Sequence, residues 1–267
     1  MSTCAACGKG GDDLKVCEAC EQVKYCNGAC KKAHWKKHKK QCRKSAAKNR
    51  DDARIIIDAL SEEMNRMVIS DDELFKDPPP KEECPICLLP VPYAIGACGV
   101  QTAYQPCCGK ILCHGCMFAA TEEIMKGNMK RCCPFCRKPL ADSDEEHFDR
   151  CKKRMEASDA EAFVMVGNQY QKGSYGLPQD KRNALKLYLQ AAKLGSYEAH
   201  FQIANAYRHG EDYVEKDMKR AAHHYKLAAM GGDEIARYNF AIIEECECMN
   251  RAMRHFLILA RIGCDDS

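Results

Sequence analysis

The feature that most constrains this chain is a set of paired sulfur and imidazole side chains within its first 42 residues. They are Cys4-x2-Cys7, Cys17-x2-Cys20, Cys26-x3-Cys30 and His38-x3-Cys42. Eight such ligands in four close pairs are what two tetrahedral zinc ions require. A pair spaced x2 in a tight turn directs two thiolates at one metal. A pair spaced x3 on a helix does the same across one turn, because i and i+4 share a face. About forty residues bury too little apolar surface to fold alone. Structural zinc contributes roughly 10–16 kcal/mol per site in comparable peptides, so metal binding and folding become one event.

The chain has 267 residues and 21 cysteines, seventeen of them before residue 137. Such a density means either disulfides or metal, and the two imply opposite compartments. The start, Met-Ser-Thr-Cys-Ala-Ala-Cys, has neither the charged flank nor the apolar core of a secretory signal. The uncharged stretch 88–109 is broken by Pro90, Pro92, Gly96, Gly99 and Pro106, so no membrane span is expected. A cytoplasmic or nuclear setting with reduced thiols on zinc is the expectation.

Around the last ligands the sequence reads Tyr25-Cys26-x3-Cys30, then His34-Trp35-x2-His38-Lys39-x2-Cys42. This resembles the MYND-type zinc finger across the whole stretch. The resemblance implies that Cys4, Cys7, Cys26 and Cys30 hold one zinc, and that Cys17, Cys20, His38 and Cys42 hold the other. His34 is the competing imidazole, but its spacing to Cys42 departs from the pattern. Trp35, the only tryptophan, is expected to pack the terminal helix. The family implies recognition of short proline-containing peptides. Some members adjoin a methyltransferase domain, and nothing in this sequence resembles one.

A second cysteine cluster opens with Cys84-Pro85-Ile86-Cys87 and closes with Cys133-Pro134-Phe135-Cys136-Arg137; between them stand Cys107-Cys108-Gly109-Lys110 and Cys113-x2-Cys116. It resembles an all-Cys variant of the RING finger. The implied sites are Cys84, Cys87, Cys113 and Cys116, then Cys107, Cys108, Cys133 and Cys136. The usual Cys-x-His is missing, and Lys110, which stands in the histidine's place, has no lone pair to offer. Cys98 or His114 remains an alternative to Cys107 or Cys108. Cys132 is a spare thiol, since Cys133 alone gives the x2 spacing to Cys136. In RING ubiquitin ligases a shallow groove docks a ubiquitin-conjugating enzyme. The resemblance places Ile86, Leu88 and Pro134 in that groove and Arg137 at the basic position that steadies the bound ubiquitin.

The C-terminal part repeats itself. Tyr170 recurs as Tyr207, Gly173 as Gly210, Asp180 as Asp217, Ala184 as Ala221, Tyr188 as Tyr225 and Gly195 as Gly232, each 37 residues on. A third copy starts in register, Ala199 to Ala236, then shortens: Ala221, Tyr225, Ala229 and Gly232 match Ala252, Phe256, Ala260 and Gly263, each 31 on. The missing six residues fall in the connection between its helices. A period in the thirties with small residues at helix crossings indicates a helical solenoid. The pattern resembles SEL-one-like repeats, relatives of tetratricopeptide repeats, and implies a protein-binding superhelix. His200, His209 and His223-His224 are expected to be exposed polar groups. Ser143 with Glu146, and Ser158 with Glu161, have capping-box spacing.

The net charge of +3 says little about partners, but its distribution is uneven. Lys31 to Arg54 carries eleven basic residues against two aspartates. Read as a helix face closing the first finger, it needs no nucleic acid, and no aromatics follow it to stack bases. Ile56, Leu60, Met64 and Met67 then recur at near-helical spacing, and Pro78-Pro79-Pro80 stops the helix as an extended spacer.

The expected fold class is mixed: two small zinc-held α+β cross-brace fingers followed by an all-α solenoid. The domains are 1–42, a linker 43–80, a second finger 84–140 and repeats 141–267, the copies at about 162–198, 199–235 and 236–267. Four zinc ions are expected. The first functional expectation is a RING-type ubiquitin ligase recruiting a conjugating enzyme, with clients on the repeats. The alternative is a non-enzymatic adaptor that binds proteins through the first finger and the repeats. No membrane or nucleic-acid partner is expected.

Overall fold

The computed structural model describes residues 3–10, 14–17, 23–65, 69–91, 103–210, 214–245 and 248–265, with some side chains of helix 28–65 and of the last residues left aside. The chain divides into two compact units, 1–59 and 60–267, each taken by itself. Among the described residues no helix is long and apolar enough to cross a membrane.

In the first unit, β1 (Lys15–Val16) pairs antiparallel with β2 (Lys24–Tyr25). Helix α1 (Gly28–Asn65) follows. The buried cluster is made of Cys4, Cys17, Tyr25 and Cys42, with Leu14, Val23, Cys26 and Cys30 against it. Sulfur stands where a larger domain would place aliphatic carbon. Position 42, the expected end of the finger, lies within α1. No proline interrupts the basic tract and its residues are good helix formers. The side chains of Ile56, Leu60, Met64 and Met67 lie outside the described residues.

In the second unit, α2 (Asp71–Leu74) is a single turn opened by a true capping box: Ser70 caps the Glu73 amide, and the Glu73 carboxylate takes the Ser70 amide. An antiparallel hairpin, β3 (Ala103–Gln105) with β4 (Lys110–Leu112), leads into α3 (His114–Met125). Then come α4 (Asp144–Glu156) and the pairs α5 (Ala160–Lys172) with α6 (Lys181–Lys193), α7 (Tyr197–His209) with α8 (Met218–Met230), and α9 (Glu234–Glu245) with α10 (Met249–Asp265). Each helix from α4 onward packs on the next. The repeats are therefore an all-α array, and among the unit's described residues the strands amount to one short hairpin.

The 37-residue period has local causes. Gly173 and Gly210 end α5 and α7 at φ of 69° and 71°, positive values that suit glycine, Gly173 as a left-handed cap and Gly210 with an extended ψ of 145°. Asp180 and Asp217 cap α6 and α8, and their amides reach back to the Tyr170 and Tyr207 carbonyls. The Tyr188 hydroxyl donates to Asn168 Oδ1 at 2.7 Å, and Tyr225 repeats this to Asn205 at 2.6 Å. In the third copy the same two positions are Phe256 and Ile242. Donor and acceptor disappear together, and Phe256 instead meets the Tyr238 ring edge-on at 6.0 Å. The connection 246–248 is shorter than 173–180 and 210–217, as the 31-residue offset requires.

Two expectations need correction. Ser158 does not cap α5; it sits at φ 59°, and Asp159 occupies the N-cap position. Ser143 does cap α4, although Glu146 returns its bond to the Asp142 amide. The histidines His200 and His224 are not surface groups. They are 6% and 0% exposed, and their Nδ1 atoms lie 3.0 Å apart. Helical spacing shows that two side chains point apart, but it does not show which of them points at the next helix.

Candidate metal centres

Three turns of one design hold the first ligands of three clusters. In Cys4–Cys7, Cys84–Cys87 and Cys133–Cys136, the residue after the second cysteine donates its amide to the first cysteine's carbonyl, at 2.9, 2.8 and 2.9 Å. The first cysteine's amide then binds a carbonyl five residues on, that of Lys9, Leu89 or Lys138. A single bridge closes each turn: Thr3 with Gly10, Glu83 with Pro90, Cys132 with Pro139. The geometry forces the residue after the second cysteine into the left-handed region. Gly8 meets this at φ 72° freely, whereas Leu88 and Arg137 adopt φ of 59° and 60°. A side chain there costs on the order of 1–3 kcal/mol. Something besides local preference holds these turns closed.

The other ligands come from helix starts and a hairpin. Cys26 and Cys30 flank the first turn of α1, where Asn27 Oδ1 caps the Cys30 amide at 2.9 Å. Cys113 is the N-cap of α3, its sulfur accepting from the Cys116 amide. Cys107 and Cys108 lie in the β3–β4 turn, closed by the Gly109 amide on the Gln105 carbonyl at 2.7 Å.

The structure brings together Cys4, Cys7, Cys26 and Cys30; Cys84, Cys87, Cys113 and Cys116; Cys107, Cys108, Cys133 and Cys136; and Cys17 with His38 and Cys42. Within each group the ligand atoms lie within 4.8 Å of one another. Sulfur separations are 3.7 Å for Cys7–Cys26 and Cys17–Cys42, 3.6 Å for Cys87–Cys113, and 3.4 Å for Cys26–Cys30 and Cys107–Cys136. A tetrahedron with zinc–sulfur bonds of about 2.3 Å has an edge of about 3.8 Å. The donor sets fit zinc. The described cysteines are free thiols.

Electrostatics points the same way. The Cys7 and Cys26 amides aimed at Cys4 pull its thiol down to about 6, while Cys30, hydrogen-bonded to Cys26, is pushed up to about 12. Left to themselves, four sulfurs this close share protons unequally, because like charges repel. A dication allows all four to be thiolates at once.

The remaining candidates fall outside these clusters. His34 bonds the Tyr25 hydroxyl at 3.0 Å through Nδ1 and stacks on His38 at 5.8 Å. His114 is exposed and Cys132 is half-buried; neither joins a cluster. Cys20, Cys98 and Cys246 lie outside the described residues. Trp35 is 41% exposed, so it leaves much of its indole outside the finger. Ile86 and Leu88 are 42% and 66% exposed, Arg137 is exposed and Pro134 half-buried. Phe135, not singled out from the sequence, is 41% exposed between two ligands. Cys151 is fully buried in α4, its thiol pushed up to about 11 by burial, as befits an ordinary core residue.

Two features had little signal in the sequence. Tyr104 of β3 donates to Asp159 Oδ2 at 2.8 Å, and Arg154 pairs with the same carboxylate at 3.6 Å, tying the β3–β4 hairpin with its cysteines to the start of the first repeat. The segment 69–77 lies against the last repeats. Its Ser70-x-x-Glu73 spacing was the one local hint.

Comparison with known proteins agrees with this geometry at the level of modules. Residues 4–42 match the MYND finger model, and residues 160–196 and 198–233 match the Sel1 repeat model. The chain is 39% identical over 57 residues to "Chitin synthase regulator SKT5" of Saccharomyces cerevisiae, and 35% identical over 77 residues to "Chitin synthase regulatory factor 4" of Schizosaccharomyces pombe. Those stretches are 21% and 29% of this chain but only 8% and 12% of the relatives, so the likeness is to a small part of each. Among solved structures, a Sel1 repeat protein from Oxalobacter formigenes aligns with TM-score 0.41 and 26% identity, over 45% of this chain and 50% of that one. A protective antigen of uropathogenic Escherichia coli displaying an SLR fold aligns with TM-score 0.41 and 21% identity, over 44% of this chain and 26% of its own. The chain thus carries a zinc-binding MYND finger at residues 4–42 and Sel1 repeats at residues 160–233.

Proposed function

We propose that the protein is a non-enzymatic adaptor whose zinc-held fingers and helical repeats each bind other proteins. The observation that carries this reading is that the two modules matched by family models are both association modules. The relatives are named as regulators of an enzyme, which suits a chain that brings proteins together. Four zinc ions are proposed: Cys20 completes the Cys17, His38 and Cys42 site, and the second finger takes two. A cytoplasmic or nuclear location, where thiols remain reduced, follows from that chemistry. Proline-containing peptides are proposed for the first finger.

The test is affinity capture with the full chain, zinc-loaded or stripped by a strong chelator. Partners retained through the first finger should be lost on stripping and on Cys26→Ser. A partner set identical in both states would reject the finger as a binding module.

A second reading, ubiquitin ligase, draws on one observation. Ile86 and Arg137 are exposed on the turns that hold the second finger's outer ligands. The matched families lend it no support. It requires autoubiquitination with some conjugating enzyme, lost in Ile86→Ala and Arg137→Ala; silence across a broad enzyme panel would end it.

A further inference from the structure

Residues 69–77, Ile-Ser-Asp-Asp-Glu-Leu-Phe-Lys-Asp, lie on the last three helices as a bound peptide would. Lys226 Nζ of α8 donates to the Ile69 carbonyl at 3.0 Å. Arg237 of α9 donates to the Leu74 carbonyl at 3.2 Å. Leu74 is fully buried. Phe75 lies 4.7 Å from the His255 ring, under the Arg254 guanidinium at 3.6 Å. Arg251 pairs with Asp71, and Arg261 pairs with Asp77. Five cations of α8, α9 and α10 thus meet an acidic segment anchored by one buried leucine and one capped phenylalanine.

The repeat register shows that this surface is built and not incidental. In the first copy the positions equivalent by register are Phe163 and Leu187, both half-buried; one period on they are the buried His200 and His224, and in the third copy the buried Arg237 and His255. The apolar pair has become a polar one. Arg237, 1% exposed, donates to the Ala229 carbonyl at 2.8 Å and lies 3.4 Å from His255 Nδ1. His255 Nε2 in turn lies 3.1 Å from Glu244 Oε2. A buried guanidinium is costly unless its donors are used, and here one of them points outward at the segment's backbone. The segment has little structure of its own: a four-residue helix is far below the length that persists in water, so its shape depends on the groove.

We propose that the face formed by α8, α9 and α10 is a receptor for short acidic segments carrying a Leu-Phe pair, filled in cis by residues 69–77 and in trans by a partner's segment of the same chemistry. This rests on the reading of the repeats as a protein-binding array and names the ligand chemistry of one part of it. The segment competes from within the same folded chain, at an effective concentration no free partner segment has, so a partner binds well only when the internal segment is displaced or weakened.

The test uses the full zinc-loaded chain and a fluorescent peptide with the sequence of residues 69–81. Binding by the native chain should be weak. The Leu74→Ala/Phe75→Ala chain should bind at least tenfold tighter, and adding Arg254→Glu should remove the gain. If loss of Leu74 unsettles the fold, Asp71→Lys/Asp77→Lys frees the segment by charge alone and should give the same direction. Equal binding by the native and released chains, or binding indifferent to Arg254→Glu, overturns the proposal. Dimers that appear only when the segment is freed would assign the groove to a second copy and equally overturn a partner in trans. Zinc-dependent capture of partners would survive either failure, so the adaptor reading is judged separately.

Discussion

At the residue scale, the two imidazoles of the first finger separate cleanly. His38 is 5% exposed and shares a cluster with Cys17 and Cys42, whereas His34 bonds the Tyr25 hydroxyl, stacks on His38 and joins no cluster of the described residues. His38→Ala should therefore lose one zinc and unfold the finger. His34→Ala should keep both metals and cost about 1 kcal/mol, the usual net worth of one hydrogen bond; metal content by mass spectrometry with thermal melting checks both. His200 offers a pH signature. Burial lowers its pKa to about 4, with the neighbouring His223 adding to the effect. Unfolded, the same imidazole titrates near about 6.5. As pH falls, the unfolded chain takes up the proton first. Its contribution is thus complete above pH 6.5 and is lost toward pH 4, on the order of 3 kcal/mol. Asp233, raised to about 6 by burial, acts oppositely and adds stability on the acid side. The comparison that isolates His200 is denaturant unfolding of native and His200→Asn chains, the variant showing the shallower loss between pH 6.5 and 4.

At the element scale, the repeat helices meet through small residues placed under aromatic ones. A methyl group on Gly167 of α5 would sit 2.5 Å from Tyr188 Cε1 of α6. Gly167→Ala gains about 1 kcal/mol of helix propensity but overfills the crossing at about 1–3 kcal/mol. The net expectation is a lower midpoint in urea; a higher one would mean that the two helices have room to part. The helix pairs were legible from the sequence because glycine caps, aspartate caps and the Tyr–Asn bond recur at one offset. The fate of His200 and His224 was not, since facing positions on neighbouring helices share no pattern within either helix. The turns of the metal clusters were legible too, in their x2 spacing. The left-handed backbone at Leu88 and Arg137 was hidden there, because neither residue type announces it.

At the scale of the whole molecule, metal and carbon hold different parts together. The buried cluster of the first finger is largely sulfur, whereas α4 to α10 bury leucine, alanine, tyrosine and isoleucine with no ligand cluster among their described residues. A strong chelator should release four zinc ions, abolish amide protection in residues 4–42 and leave the repeat helices largely protected. Native mass spectrometry and hydrogen exchange read these outcomes; global loss of helix on chelation would show the repeats to depend on metal as well. The x2 and x3 spacing of the ligand pairs, and the helical repeats with their shortened third copy, were legible in the sequence alone, because coordination chemistry and helical packing each impose a fixed spacing on neighbouring residues; which thiols complete the second cluster was left open there between Cys98, Cys107, Cys108 and His114. Only the tertiary structure decided that Tyr104 reaches Asp159, that Arg237 reaches the Leu74 carbonyl, and that an acidic stretch lies in a basic groove. Those contacts join residues 55 and 163 positions apart, and no local periodicity records a bond made between such distant parts of the chain.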